Sequence, residues 1–279
     1  MNDRTDFSDW VGRTTEAEDV VEPRLVASFR AILDPYLAPV PADDAPLCFH
    51  WCLSPAIAPM AALGRDGHPA KNLDLPPVPL PRRMWAGGSI ETIAPLRIGD
   101  RVRRRSTIER VELKQGRSGD LWFVSVLHDY STERGTAIRE TQDLVYRAAA
   151  VRGAAAARPA PAPRRERVDH RTIDPDPVML FRYSAVTFNG HRIHYDQPYA
   201  TGVEGYEGLV VHGPLQATLL FNAAASSLGG APSRFTYRGL SPAFAERPLA
   251  ICRGGGEFAG RFWTEGSDGT IHMDGSATA

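Results

Sequence analysis

The chain has almost no lysine. Lys71 and Lys114 are the only two among 279 residues, so nearly all of its positive charge is arginine, the residue suited to planar two-point contacts with carboxylates and phosphates. A skewed genome composition explains that bias equally well. Cysteine is scarce too: Cys48, Cys52 and Cys252 are an odd number in a long chain, which argues against a disulfide-stapled scaffold and fits a reducing compartment. No run approaches the ~18 apolar residues of a membrane span, and the start MNDRTDFSDW lacks the basic, apolar character of an export signal. The expected location is the cytoplasm, away from the membrane. Excess charge is missing as well. A formal net charge of −1 gives no concentrated positive field for nucleic acid or an anionic membrane, so the expected partner is a small molecule.

What is present is globular composition, 43% hydrophobic and 23% charged, with one seam. Residues 147–167, RAAAVRGAAAARPAPAPRRER, carry repeated prolines and no large apolar anchor, and read as a linker. It separates an N-terminal half, 1–146, from a C-terminal half, 168–279.

In the first half, residues 19–37 read as a helix with Asp19 as N-cap, Pro23 in the first turn and Val26, Phe29, Ile32 and Leu33 on one face. After the proline-rich PPVPLPRRMW, three strands at 102–113, 121–130 and 137–146 read as an antiparallel meander, with Gly-rich turns between them. In the second half, 186–188 reads as the end of a short strand. Residues 214–227 read as a helix, started by Pro214 and stopped by Gly229, with only Gln216, Thr218 and Asn222 polar in its middle. A helix apolar on nearly every face has to be wrapped by protein. Strands are expected again at 234–238, 249–253, 257–265 and 270–277. The fold class is therefore α+β, two halves each with an antiparallel sheet wrapped around a central helix.

The chemistry concentrates in 188–213, FNGHRIHYDQPYATGVEGYEGLVVHG. It holds three proton carriers, His191, His194 and His212, with no carboxylate immediately before them. The free N–H groups at the start of the buried helix, at Gly213, suit developing oxyanion charge. An acid/base site with an oxyanion pocket is expected. Cys48, His50 and Cys52 form C-x-H-x-C without a fourth ligand at zinc-site spacing, so no metal is expected.

These residues carry a resemblance. N-G-H-R-I-H-Y-D followed by V-H-G, within 189–215, is similar to the signature of the MaoC-like, or hydratase-2, family. The strings LPRRMWAGGSIETIAPLRIGD, KQGRSGDLWFV and FNGHRIHYD resemble one branch of it, the double-hot-dog mesaconyl-C4-CoA hydratases and fungal mitochondrial hydroxyacyl-thioester dehydratases. The resemblance implies a double hot-dog in which only the second half keeps the catalytic motif, and no N-x-H-x-x-H equivalent precedes residue 147. It implies reversible hydration of an α,β-unsaturated acyl-CoA, short and dicarboxylic in this branch, with no cofactor. His194 takes the catalytic histidine position, Asn189 the position of the usual aspartate, and Gly213 that of the glycine whose N–H receives the thioester carbonyl.

An amide cannot act as a base. Asn189 is therefore expected to hold the water while His194 moves protons, with a distant carboxylate such as Glu207 as the other route; Asp196 reads as a helix N-cap. His191 and His212 are expected to line the substrate site, although an ordinary loop histidine and a helix-entry residue are equally good readings of them. Arg82 and Arg83 are placed against CoA phosphates or on a solvated face, Arg192 or Arg238 against a free acyl carboxylate, and Trp85 in the core. Pairing into a homodimer is left open, as are a hot-dog thioesterase and a non-catalytic acyl-CoA-binding module. The first is disfavoured because 214–227 holds no carboxylate.

Overall fold

The structure, a computed structural model, describes residues 6–70, 74–116, 119–148 and 165–279. Most of the expected linker lies outside them. Ten strands form one sheet: β1 (Thr14–Val20), β2 (Arg82–Thr92), β3 (Arg101–Gly116), β4 (Gly119–Thr132), β5 (Gly135–Arg147), β6 (Arg167–Ile173), β7 (Arg234–Gly239), β8 (Leu249–Gly254), β9 (Arg261–Gly266) and β10 (Ile271–Thr278). Their order is β1-β3-β4-β5-β2-β7-β10-β9-β8-β6. Taken from either edge, each set of five strands follows the same sequence of first, third, fourth, fifth, second. The two sets meet where β2 pairs antiparallel with β7, from Gly87 opposite Arg238 to Glu91 opposite Arg234.

The expected meander is present as β3, β4 and β5, paired in succession. The helices are α1 (Pro23–Leu33), α2 (Pro177–Val186), α3 (Gln197–Gly202) and α4 (Gly213–Leu228). In α4 every residue from Leu215 to Asn222 is buried, and it packs on β7 to β10. The polar positions are satisfied inside the core: Gln216 Oε1 accepts from Thr264 Oγ1 at 2.7 Å, and Asn222 Oδ1 accepts from the Ala38 N–H at 2.9 Å. A helix buried through its middle is thus compatible with polar residues there because each has a partner, Thr218 Oγ1 donating to the Pro214 carbonyl.

Several elements differ from the sequence reading. The first helix starts at Pro23, and Asp19 belongs to β1, where its Oδ2 accepts from the Ser54 N–H at 2.7 Å. A carboxylate that can cap a helix also serves a distant backbone donor, and propensity does not separate the two. Residues 186–188 are the last residue of α2 and the turn after it rather than a strand: Asp176 Oδ1 accepts from Met179 N at 2.7 Å and Pro177 opens the helix, a start signal that the apolar run V-M-L-F obscured. The strand expected at 257–265 begins at Arg261, after a 3-10 turn at Gly256–Phe258.

Candidate active site

The motif loop between α2 and α4 is built from short turns. Asn189 Oδ1 accepts the His191 N–H at 3.0 Å, a 3-10 turn covers Arg192–His194, and Asp196 caps α3 through the Tyr199 N–H at 3.0 Å. The turns drive the His194 side chain inward, where it is 6% exposed. Its Nδ1 lies 2.7 Å from the carbonyl oxygen of Val210. A carbonyl only accepts, so Nδ1 carries the proton and Nε2 keeps its lone pair. Burial lowers the His194 pKa to about 4, so the ring is a neutral base at neutral pH.

His212 stacks on that ring, with centroids 3.6 Å apart and planes 18° from parallel. Its Nε2 is 2.8 Å from Ser184 Oγ, while its buried Nδ1 has no partner. The unpartnered nitrogen is the deprotonated one, since a buried N–H without an acceptor costs more than a bare lone pair. His212 thus clamps the His194 ring and, as the residue before α4, also sets the helix entry.

Gly213 opens α4 beneath Trp85. A Cβ at Gly213 would lie 2.6 Å from Trp85 Cε3, so glycine lets the indole close over the helix start. Trp85 stacks on Tyr237 at 4.5 Å and meets Trp51 edge-on at 5.7 Å. Behind this aromatic wall lies a carboxylate that sequence reasoning missed. Glu140, on β5 and fully buried, accepts from Trp51 Nε1 at 2.7 Å and Gln142 Nε2 at 2.9 Å and stands 3.5 Å from His50 Nε2. Burial alone would raise its pKa; the hydrogen bond and charge of His50 hold it down at about 2.

The first half also reaches the motif loop directly. Residues 64–68, GRDGH, lie against 190–192: the Arg192 N–H donates to the Asp66 carbonyl at 2.9 Å, and Arg192 Nη1 donates to the Arg65 carbonyl. Gly67 and Gly190 allow this approach, since a Cβ on Gly67 would fall 2.0 Å from the Gly190 carbonyl oxygen. Asp66 Oδ2 is 3.0 Å from His68 Nδ1, the His68 and His191 rings are 4.2 Å apart, and His191 meets His194 edge-on at 5.4 Å. Burial opposes charge on Asp66, but the hydrogen bond and charge of His68 outweigh it and hold the carboxyl far below its usual range. Burial, then the charges of His68 and His194, lowers His191 to about 2. Among the described residues Asp66, His68 and His191 are the one group whose ligand atoms lie close enough to hold a metal ion, all within 4.8 Å. Asp66 and His68 sit too far from the motif in sequence for spacing to link them; the two glycines around an Asp and a His were the available signal.

The remaining candidates are dispersed. Arg82 forms a salt bridge with Glu204 at 2.8 Å and lies over Tyr206. Arg192 binds Asp196 at 2.7 Å and covers Tyr199. Arg238 is exposed on β7. Glu207 is exposed in an ion pair with Arg247 at 2.9 Å. Cys48 and Cys52 are buried free thiols that burial pushes up. A cavity of about 540 Å³, lined by Leu47, Phe49, Ile90, Phe221 and Ala225, lies at the far end of α4 from Gly213, roughly 20 Å along a helix of this length.

The chain is similar to several known proteins. The profile of the family described as hydroxyacyl-thioester dehydratase type 2 matches residues 48–245. A mesaconyl-C(4)-CoA hydratase of Chloroflexus aurantiacus is 41% identical over 251 residues, 88% of each chain. HtdX of Mycobacterium tuberculosis superposes with a TM-score of 0.67 at 18% identity, covering 96% of this chain and 100% of that one. A second M. tuberculosis protein, described as having a double hot-dog fold, covers 96% of this chain and 95% of its own with a TM-score of 0.56 at 10% identity. The last two establish the fold.

Proposed function

Because the chain belongs to the hydroxyacyl-thioester dehydratase type 2 family, a family of hydratases and dehydratases, we propose that it adds water across the double bond of a short α,β-unsaturated acyl-CoA whose acyl group ends in a carboxylate, as in mesaconyl-C4-CoA. One observation carries the reading: His194 Nε2 is left with a lone pair by the bond from Nδ1 to the Val210 carbonyl, beside the helix that starts at Gly213.

The thioester carbonyl accepts from the Gly213 N–H at the positive end of α4, which draws electron density from the β-carbon. His194 Nε2 takes a proton from water as the water oxygen bonds to the β-carbon, and the enolate collapses by protonation at the α-carbon. The proton that His194 gained supplies the one delivered. The reverse sequence dehydrates the 3-hydroxyacyl thioester. Asn189 shapes the loop through its bond to the His191 N–H and holds the water with its remaining amide hydrogens. No step requires a metal or redox cofactor. Three free cysteines fit a reducing compartment, and among the described residues no helix is long and apolar enough to cross a membrane. In this reading the first half, 1–146, supplies wall and support, while the second, 168–279, supplies the reacting groups.

A thioesterase on this fold would place a carboxylate along the buried helix, and Gly213–Leu228 contains none. The deciding experiment follows enoyl-thioester absorbance and free thiol together. Loss of absorbance without thiol release is expected. Thiol release, or neither change across a panel of short enoyl-CoA substrates, would overturn the proposal.

A further inference from the structure

The two adjacent arginines of β2 have different surroundings. Arg82 is neutralised by Glu204. Arg83 alternates to the other face of the strand, the face shared with Trp85, and Trp85 is the residue that touches Gly213. Its register partner is Tyr146 on β5. Its charge acts on His68 and His191, lowering both beyond what burial does. Arg83 is half-buried, yet among the described residues no carboxylate forms a salt bridge with it. Asp66, the carboxylate paired with His68, has both oxygens engaged by that residue, Oδ1 with its N–H at 3.1 Å and Oδ2 with Nδ1 at 3.0 Å. A partly desolvated guanidinium that pairs with no described carboxylate lacks one negative charge.

The proposed substrate class brings that charge to this place. In a mesaconyl-C4 thioester the free carboxylate is bonded to the β-carbon, the atom that water attacks. A carboxylate there must sit within a few ångströms of the base that activates the water. His194 is that base in the reading above; the His191 ring and then the His68 ring adjoin it, and the Arg83 charge acts on both of those rings.

We propose that Arg83 binds the carboxylate carried on the β-carbon of the acyl group, and so selects dicarboxylic over monocarboxylic acyl-CoA. The proposal rests on the hydratase reading for the position of the β-carbon. Arg83 presents a planar fork that a carboxylate can meet with two parallel hydrogen bonds. The same contact orients the β-carbon towards the attacking water.

The test separates this proposal from the hydratase reading by using unreactive, saturated ligands. Succinyl-CoA carries a carboxylate on the β-carbon, and butyryl-CoA carries a methyl group there. In equilibrium binding to the full chain, the wild type is expected to bind succinyl-CoA about tenfold or more tightly than butyryl-CoA, and Arg83→Met to abolish the preference while leaving butyryl-CoA affinity within about threefold. Arg83→Gln serves as the second variant, and a thermal melt confirms folding of both. A wild type without the preference, or variants that retain it, would overturn the proposal. So would equal loss for both ligands, since the anion at Arg83 would then be a CoA phosphate or the residue a structural one. Failure of the hydratase reading appears elsewhere, in the absorbance assay.

Discussion

His194 Nδ1 lies 2.7 Å from the carbonyl oxygen of Val210, and this bond decides which ring nitrogen can accept a proton. The two residues are 16 apart in sequence, at opposite ends of the loop that also contains α3. The bond therefore ties the motif histidine to the strand-like segment leading into α4. Replacing His194 by Ala removes the base without disturbing the fold greatly, and kcat for hydration is expected to fall by about 10²–10⁴. Near-wild-type turnover in that variant would rule out the mechanism. With the wild-type pKa at about 4, the pH profile of kcat/KM should stay flat from about pH 8 down to about 5 and fall through about 4, where Nε2 becomes protonated.

Asn189 presents a separate question because an aspartate occupies its position in the related signature. Asn189→Asp preserves the acceptor for the His191 N–H, so the melting temperature should change little, whereas Asn189→Ala should cost about 1 kcal/mol. The new carboxylate raises the His194 pKa, because a nearby negative charge favours the protonated ring. The acid limb of the pH profile is expected to move upward, and an unmoved limb would mean that residue 189 does not face the base.

At Gly213 the aromatic wall leaves no room. Gly213→Ala puts a methyl 2.6 Å from Trp85 Cε3, which forces the indole or the helix start to shift. A loss of about 1–3 kcal/mol in urea unfolding is expected, together with reduced kcat. Trp85→Phe in the same chain should restore part of the stability.

Acid should destabilise the protein early. Burial depresses His194 and His128 to about 4 in the folded chain, below the ~6.5 of an unfolded histidine. As pH falls the unfolded chain therefore binds protons first. Their stabilising contribution is complete above about pH 6.5 and is lost between there and about 4. Glu140, held at about 2, extends the loss below pH 4.5. Urea midpoints measured at pH 8, 6 and 5 should fall in that order, and a constant midpoint would contradict the buried, neutral state of these rings.

Glu140 is fully buried with donors from Trp51 and Gln142 and with His50 nearby. Glu140→Ala would leave those groups unpaired, at a cost of about 3–5 kcal/mol. Glu140→Gln, which keeps one acceptor and loses the charge, should cost less. Chemical denaturation of the two variants side by side distinguishes the charge from the hydrogen bonds.

Local chemistry alone determined much of this protein. Periodicity and Gly-Pro punctuation gave the three-strand meander and the helix at Gly213–Leu228, because those signals act over a few residues. The run N-G-H-R-I-H-Y-D with V-H-G pointed to His194 and Gly213 through its resemblance to the hydratase-2 signature, and the resemblance of three longer strings to one branch of that family carried the double-hot-dog expectation. Asp19 and 186–188 were misread because a capping carboxylate and an apolar run each suit more than one local structure. Only the tertiary structure joined what lies far apart. It brought Asp66 and His68 to His191 across more than a hundred residues, placed Glu140 behind the wall of Trp85, and sent Arg82 to Glu204 while leaving Arg83 with no salt-bridged carboxylate among the described residues. Those relationships depend on how the two five-stranded sets meet at β2 and β7, and pairing of that kind is fixed by long-range packing rather than by any neighbour in the chain.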